Sequence, residues 1–219
     1  MEKYIQILKK CSLFDGISEQ DIPKLLGCLQ AKVIRFDKKE SILSEGCHAK
    51  HVGIILSGTA QIVQVDYYGN RSIFSDVKQA EIFGEAFACA GVEYLPVSVI
   101  ANEACEVMLI DCERILHTCA KACGFHQQIF FNLMRDIATK AIIFQQKIEV
   151  ISKRSTREKL MSYLQIQARK AGSSSFEIPF DRQELADYLE VDRSGLSAEI
   201  SRMRKEGIIK STKNSFELL

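Results

Sequence analysis

Between residues 181 and 205 the chain carries a pattern that few folds can accommodate: two short helices, each with its own cap, joined by a turn of three residues. Asp181-Arg182-Gln183-Glu184 has the form of a capping box, in which the Asp carboxylate accepts backbone N–H groups of a first helical turn and Glu184 reaches back three residues. The helix that starts there buries Leu185, Ala186 and Leu189, and the small Ala186 lets a second helix approach closely. Glu190-Val191-Asp192 makes the turn, with Val191 as apolar plug and Asp192 as cap of the next helix. That helix runs from Arg193 to about Lys205. It turns Leu196, Ile200 and Met203 inward at spacings of four and three, and Arg193, Ser194, Ser197, Glu199, Arg202 and Arg204 outward. In a helix-turn-helix that binds DNA, the start of the second helix meets base edges in the major groove while nearby cations hold phosphates. Arg193 then suits a bidentate contact with guanine, Ser194 and Ser197 suit bases or phosphates, and Arg202 suits a phosphate. Arg182 and Gln183, at the start of the first helix, complete the candidate set.

Two further regimes precede this one. From about Ala31 to Ile110 the chain consists of short apolar or alternating runs: Val33 to Phe36, Ile54 to Leu56, Ala60 to Val65 and Val97 to Ile100. Gly46, Ser57-Gly58, Gly69-Asn70 and Gly84 punctuate them, a pattern that predicts a small barrel or sandwich. An amphipathic stretch from Ser18 to Leu29 reads as a helix with Ser18 as cap. From Phe125 to Ile151 there is neither Gly nor Pro, while Phe130, Met134, Ile137, Ala141, Phe144, Ile148 and Ile151 recur at alternating spacings of four and three. So long a stripe is expected to face a second copy of itself. After Ser155 come a helix to Ala171, a strand at Phe176 to Pro179, the two capped helices, and a hairpin around Ile208-Ile209 and Phe216 to Leu218. The expected division is a sensor domain at 1–123, a central helix at 124–152 and a DNA-binding domain at 153–219.

Composition narrows the function. A chain of 219 residues holds one large domain or two small ones, and its 47% hydrophobic content contains no run long enough to span a membrane and no signal peptide at the charged start. Eight cysteines without a tight spacing read as thiols of a reducing cytosol, so a cytoplasmic protein is expected. From Lys153 onward 13 Lys or Arg face 10 Asp or Glu, against 16 and 18 upstream; the C-terminal third leans toward a polyanion. No nucleophile–base pair, phosphate loop or supported carboxylate pair is present, which argues against an enzyme and leaves no catalytic residue to nominate. Cys119 and Cys123, flanked by His117 and His126, could share a helix face, but no metal site is assigned. His48 and His51 read as turn residues.

Arg182 to Leu189 followed by Val191 to Ser197 resembles the DNA-binding motif of the Crp-Fnr family of bacterial transcription regulators. Leu13-Phe14, Ile42 to Gly46, Ile55 to Gly58 and Ile82 to Glu85 are similar, in order and spacing, to that family's sensor domain, so the resemblance covers nearly the whole chain. It implies an α+β protein: an N-terminal β-roll (a double-stranded β-helix, cupin-like), a long dimerisation helix and a C-terminal winged helix-turn-helix. The implied partners are double-stranded DNA with a palindromic operator, a second copy in a homodimer, and RNA polymerase, with no membrane involved. Two departures stand out. Many members carry Arg directly after the serine equivalent to Ser197, where this chain has Ala198. Members that bind cyclic AMP also place an Arg and a small hydroxyl residue about ten positions after the Gly-Glu to hold the phosphate. Gly84-Glu85-Ala86 is present, but Leu95-Pro96-Val97 lies where the Arg belongs, and no Arg occurs between Arg71 and Arg114. A buried phosphate without a fixed cation would be strongly disfavoured. Lys78 could substitute only as a flexible charge. With Ala138, Ala141 and Ile142 of the central helix, these residues suggest a pocket for a small, largely uncharged effector of unknown identity, unless Phe83, Phe87 and Tyr94 fill it. No cofactor is assigned. The alternative is a haem- or thiol-based redox or gas sensor acting through the same DNA-binding domain. The iron–sulfur branch of the family groups cysteines near the N-terminus, where this chain has only Cys11, with Cys28 distant.

Overall fold

A computed structural model describes residues 2–65, 71–117 and 124–219. In chain order its elements are α1 (Ile5–Leu8), α2 (Ile22–Leu29), β1 (Lys32–Phe36), β2 (Ser41–Leu43), β3 (His51–Ser57), β4 (Ala60–Val65), β5 (Arg71–Val77), β6 (Ile82–Phe83), α3 (Glu85–Cys89), β7 (Ser98–Ala101), β8 (Cys105–Asp111) and α4 (Cys112–Leu116). The long α5 (Gly124–Ile151) follows, then α6 (Thr156–Ala171), β9 (Ser175–Glu177), α7 (Arg182–Leu189), α8 (Arg193–Lys205), β10 (Ile209–Thr212) and β11 (Ser215–Leu218). The chain packs as two compact units, Met1–Thr139 and Lys140–Leu219, and the division falls within α5.

The first unit is a roll of two four-stranded antiparallel sheets, ordered β1-β8-β3-β6 and β2-β7-β4-β5. Period-two alternation explains how one strand serves two cores. On β3, Val52, Ile54 and Leu56 pack with the N-terminal helices, including Leu8, Phe14, Ile22 and Leu26, while Ile55 points into the roll with Ile42, Phe83, Val99 and Val107. Covered on both faces, β3 reads as a continuous apolar run instead of an alternating one. Gly53 on the same strand makes room for an aromatic ring. A Cβ there would stand 2.1 Å from Phe83, so Phe83 occupies space that any other residue at 53 would claim.

α2 begins at Ile22, three residues later than the sequence suggests. Pro23 lacks an N–H and fits only the first turn, and the Ser18 hydroxyl donates to the Asp21 carboxylate (2.6 Å) instead of capping backbone. His51 opens β3, and His48 forms a bridge with Tyr94, so neither is simply a turn residue. The strand expected at Phe176 to Pro179 is β9, ending at Glu177. The first turns of α5 are fastened to the N-terminal segment by buried Asn132. Its amide donates to the carbonyls of Leu13 (2.9 Å) and Asp15 (2.8 Å), while Ser12 donates to Asp136 (2.9 Å).

The second unit is a helical layer closed by the antiparallel sheet β10-β11-β9. α6 starts on a reciprocal capping box between Ser155 and Glu158 and ends at Gly172 in the left-handed region. Its Leu160, Tyr163 and Leu164 share a core with Leu185, Ala186 and Leu189 of α7, Leu196, Ile200 and Met203 of α8, and Ile209 and Phe216 of the hairpin.

Candidate functional site

The two helices read from the sequence are present with their caps. Asp181 and Glu184 form the reciprocal box, each bonding the other's backbone N–H (2.8 Å and 2.7 Å). Glu190 takes the left-handed conformation that ends α7, and the Lys159 ammonium on α6 donates to the exposed carbonyls of Leu189 (3.2 Å) and Glu190 (3.3 Å). Asp192 caps α8 by accepting from the Gly195 N–H (2.8 Å) and also takes the Ser194 hydroxyl. Those two donors, the hydroxyl foremost, hold the Asp192 carboxyl below the usual aspartate range.

Capping gives the start of α8 a fixed direction, and its polar residues are accessible. Arg193 and Ser194 are exposed and Ser197 is half-buried. The Arg193 guanidinium makes no hydrogen bond or ion pair among the described residues, so all five of its donors are available to a partner. Gln183 is exposed and donates to Asp187 (2.8 Å), while Arg202 pairs with Glu199 one turn back (3.1 Å). Glu199 is less outward than its helical position suggests, because Arg157 of α6 lies 3.7 Å from it and also pairs with Glu206, tying α6 to α8. Arg182 has a second task that the sequence did not disclose. Its guanidinium sits 5.8 Å from the centre of the Phe216 ring and donates to the carbonyl of Lys213 (3.3 Å), and burial lowers its pKa. It therefore holds the tip of the β10–β11 hairpin. Between the hairpin and α8 runs an open groove of about 380 Å³ lined by Arg182, Ser197, Arg204, Ser211, Thr212 and Lys213. The hairpin's share, Ser211 to Lys213, escaped sequence reasoning because only the tertiary fold brings it beside α8.

The effector candidates lie in the other unit. Gly84, at φ +79°, sits so close to β3 that a Cβ would approach the His51 carbonyl to 2.8 Å and the Leu43 side chain to 3.2 Å. Glu85, the first residue of α3, is buried, and Ala86 beside it is exposed. Leu95 exchanges backbone hydrogen bonds with the Gly46–Cys47 turn (2.9 and 2.8 Å). Leu95 and Val97 are buried and Pro96 exposed. Both groups thus border the same stretch, Leu43 to His51. Of the aromatic residues that could fill a pocket, Phe83 is fully inside, Phe87 is half-buried, and Tyr94 stands 51% exposed with its ring 5.1 Å from that of His48. Ala138, Ala141 and Ile142 are exposed on α5. Lys78 is exposed as well.

Cys119 and Cys123 lie outside the described residues. His117 is exposed and pairs with Glu113 (2.8 Å), and His126 is buried. No cluster of metal-ligating side chains occurs among the described residues.

The described elements are thus a double-sheet roll carrying a Gly-Glu turn, a long helix and a capped helix-turn-helix with a wing. A family profile for the cyclic nucleotide-binding domain matches residues 33–122, and one for the Crp-like helix-turn-helix domain matches 158–219. The chain belongs to the Crp-Fnr family, with an effector-binding domain followed by a helix-turn-helix DNA-binding domain, a family of transcription regulators and not of enzymes. No curated protein sequence matches. Among solved structures, the c-di-GMP-responsive global regulator CLP of Xanthomonas campestris is similar at a TM-score of 0.55 and 14% identity, over 92% of this chain and 99% of that one. The regulator DNR of Pseudomonas aeruginosa is similar at 0.52 and 19%, over 100% and 95%. At such identities the likeness concerns the fold. No helix among the described residues is long and apolar enough to cross a membrane.

Proposed function

We propose that the protein is a cytoplasmic homodimer that binds a palindromic operator and is controlled by a small, largely uncharged effector other than cyclic AMP. The observation that carries the DNA reading is the capped start of α8, where Arg193 is exposed with its donors uncommitted and Ser194 and Ser197 lie alongside. Arg193 reads a guanine edge, the serines read bases or phosphates, and Gln183, Arg202 and Arg182 hold the backbone on either side. The domain division that fits this assignment is 1–123 for sensing, 124–152 for dimerisation and 153–219 for DNA binding.

Dimerisation is supported by α5. Phe130, Met134, Phe144 and Ile148, four of the seven stripe residues, are exposed large apolar side chains, Phe144 at 65% and Ile148 at 62%. Such a ridge is the kind that a second copy covers. The effector reading rests on the absence of any Arg between Arg71 and Arg114 and on the buried, apolar Leu95 and Val97. Gly84, Glu85, Ala86 and Pro96 would border that ligand. RNA polymerase is the partner whose access or recruitment the bound dimer alters. Selecting binding sites for the full chain from random duplex DNA tests the reading: a two-fold symmetric consensus with half-sites about one helical turn apart is expected, and an asymmetric single half-site overturns it.

A further inference from the structure

Two cysteines that no sequence pattern links are brought together at the edge of the roll. Cys89 is the last residue of α3 and Cys112 the first of α4, 23 positions later, and their sulfurs lie 3.3 Å apart within hydrogen-bonding reach. Among the described residues, Cys28 and Cys47 are exposed elsewhere, and Cys11 and Cys105 are buried. We propose that Cys89 and Cys112 form a reversible disulfide, a modification site at which a hydroperoxide staples α3, and with it the turn carrying Gly84 and Glu85, to α4.

The two thiols are placed for different parts in the reaction. Cys89 is partly accessible, while Cys112 is 2% exposed and packed in the core with Leu26, Ile110 and Ile115. Either sulfur can donate across this contact; donated by the buried Cys112 S–H, the bond favours the thiolate of the more accessible Cys89, against burial and the nearby Glu85, and keeps Cys112 protonated. The Cys89 thiolate attacks one oxygen of hydrogen peroxide, the O–O bond breaks, and hydroxide leaves to take up a proton. The product is a sulfenic acid at Cys89, oxidised by two electrons. Cys112 then attacks the Cys89 sulfur, its thiol proton leaves with the sulfenic oxygen as a second water, and the S–S bond forms. A disulfide of about 2.05 Å requires the sulfurs to close by about 1.2 Å, which side-chain rotation at the end of a five-residue helix can supply. A dithiol reductant reverses the step by exchange.

The full chain, reduced, desalted and treated with stoichiometric hydrogen peroxide, is blocked with N-ethylmaleimide, digested and mapped by mass spectrometry. Most chains should yield a peptide pair joined through Cys89 and Cys112, lighter by two hydrogens and restored by dithiothreitol. Cys112→Ser should instead accumulate a sulfenic acid at Cys89 that dimedone traps, and Cys89→Ser should leave Cys112 reduced. The oxidised wild type should melt roughly 5 °C above the reduced form, because a closed loop restricts the unfolded chain. Recovery of both cysteines as maleimide adducts while Cys28 and Cys47 are oxidised would overturn the proposal. So would stable sulfinic acid at Cys89 without a link, or links joining either residue mainly to another cysteine.

Discussion

Arg193 and Asp192 stand side by side at the start of α8, one exposed with its donors uncommitted and the other capping the helix. Removing the guanidinium in Arg193→Ala should cost about 1–3 kcal/mol on the specific site and relax preference at a single base position, measured by competitive gel shift against a site-variant library. Equal affinity and unchanged preference would contradict the assignment. Asp192 makes a pH prediction. Its carboxyl is held below the ordinary aspartate value of about 3.9 by the Ser194 hydroxyl and the Gly195 N–H, so the cap stabilises the fold above that value. The contribution disappears as pH falls through the lower folded value. The Gly195 amide shift should therefore titrate with a midpoint below 3.9, and a midpoint at or above it would show that the cap is not made. Both caps were legible in the sequence because a cap is a contact between residues two or three apart. The role of Arg182 in holding Lys213 was not, since the two are 31 positions apart and only the fold brings them together.

Periodicity carried the reading furthest at the level of elements. The four-and-three spacing on α5 identified an apolar ridge, and the chain by itself leaves most of that ridge uncovered. Phe144→Asp with Ile148→Asp would set like charges against each other in a self-paired seam. The variant is expected to be monomeric by light scattering and to bind the operator at least tenfold more weakly, with its circular dichroism unchanged because both positions are exposed. An intact dimer would refute the seam. Ile137 departs from the pattern: it is partly buried against the first unit's core, so the ridge turns inward at that point. The start of α2 is set from within the helix. Ser18 looked like a cap, but Pro23 tolerates only the first turn and thereby fixes where the helix can begin.

For the molecule as a whole, the question is which ligand the roll recognises. The missing Arg was visible in the sequence, whereas the filling of the roll by Phe83 against Gly53 joins residues on different strands and was not. Millimolar cyclic AMP should leave both Tm and operator affinity unchanged, because a ligand that prefers the folded active state must raise the first. A rise in scanning calorimetry, or micromolar binding by titration, would overturn that expectation.

As the proposed dimer seam, the uncovered ridge on α5 would also govern how the regulator answers to its own abundance. In the proposed dimer each chain brings one α8, and a palindrome would be fully read only by two. While chains are scarce relative to their pairing constant, paired protein grows with the square of chain concentration, so a modest change in synthesis or degradation becomes a larger change in operator occupancy. Substitutions that merely loosen the ridge would then act as a dosage threshold, silencing the protein in cells that make little of it and sparing cells that make more.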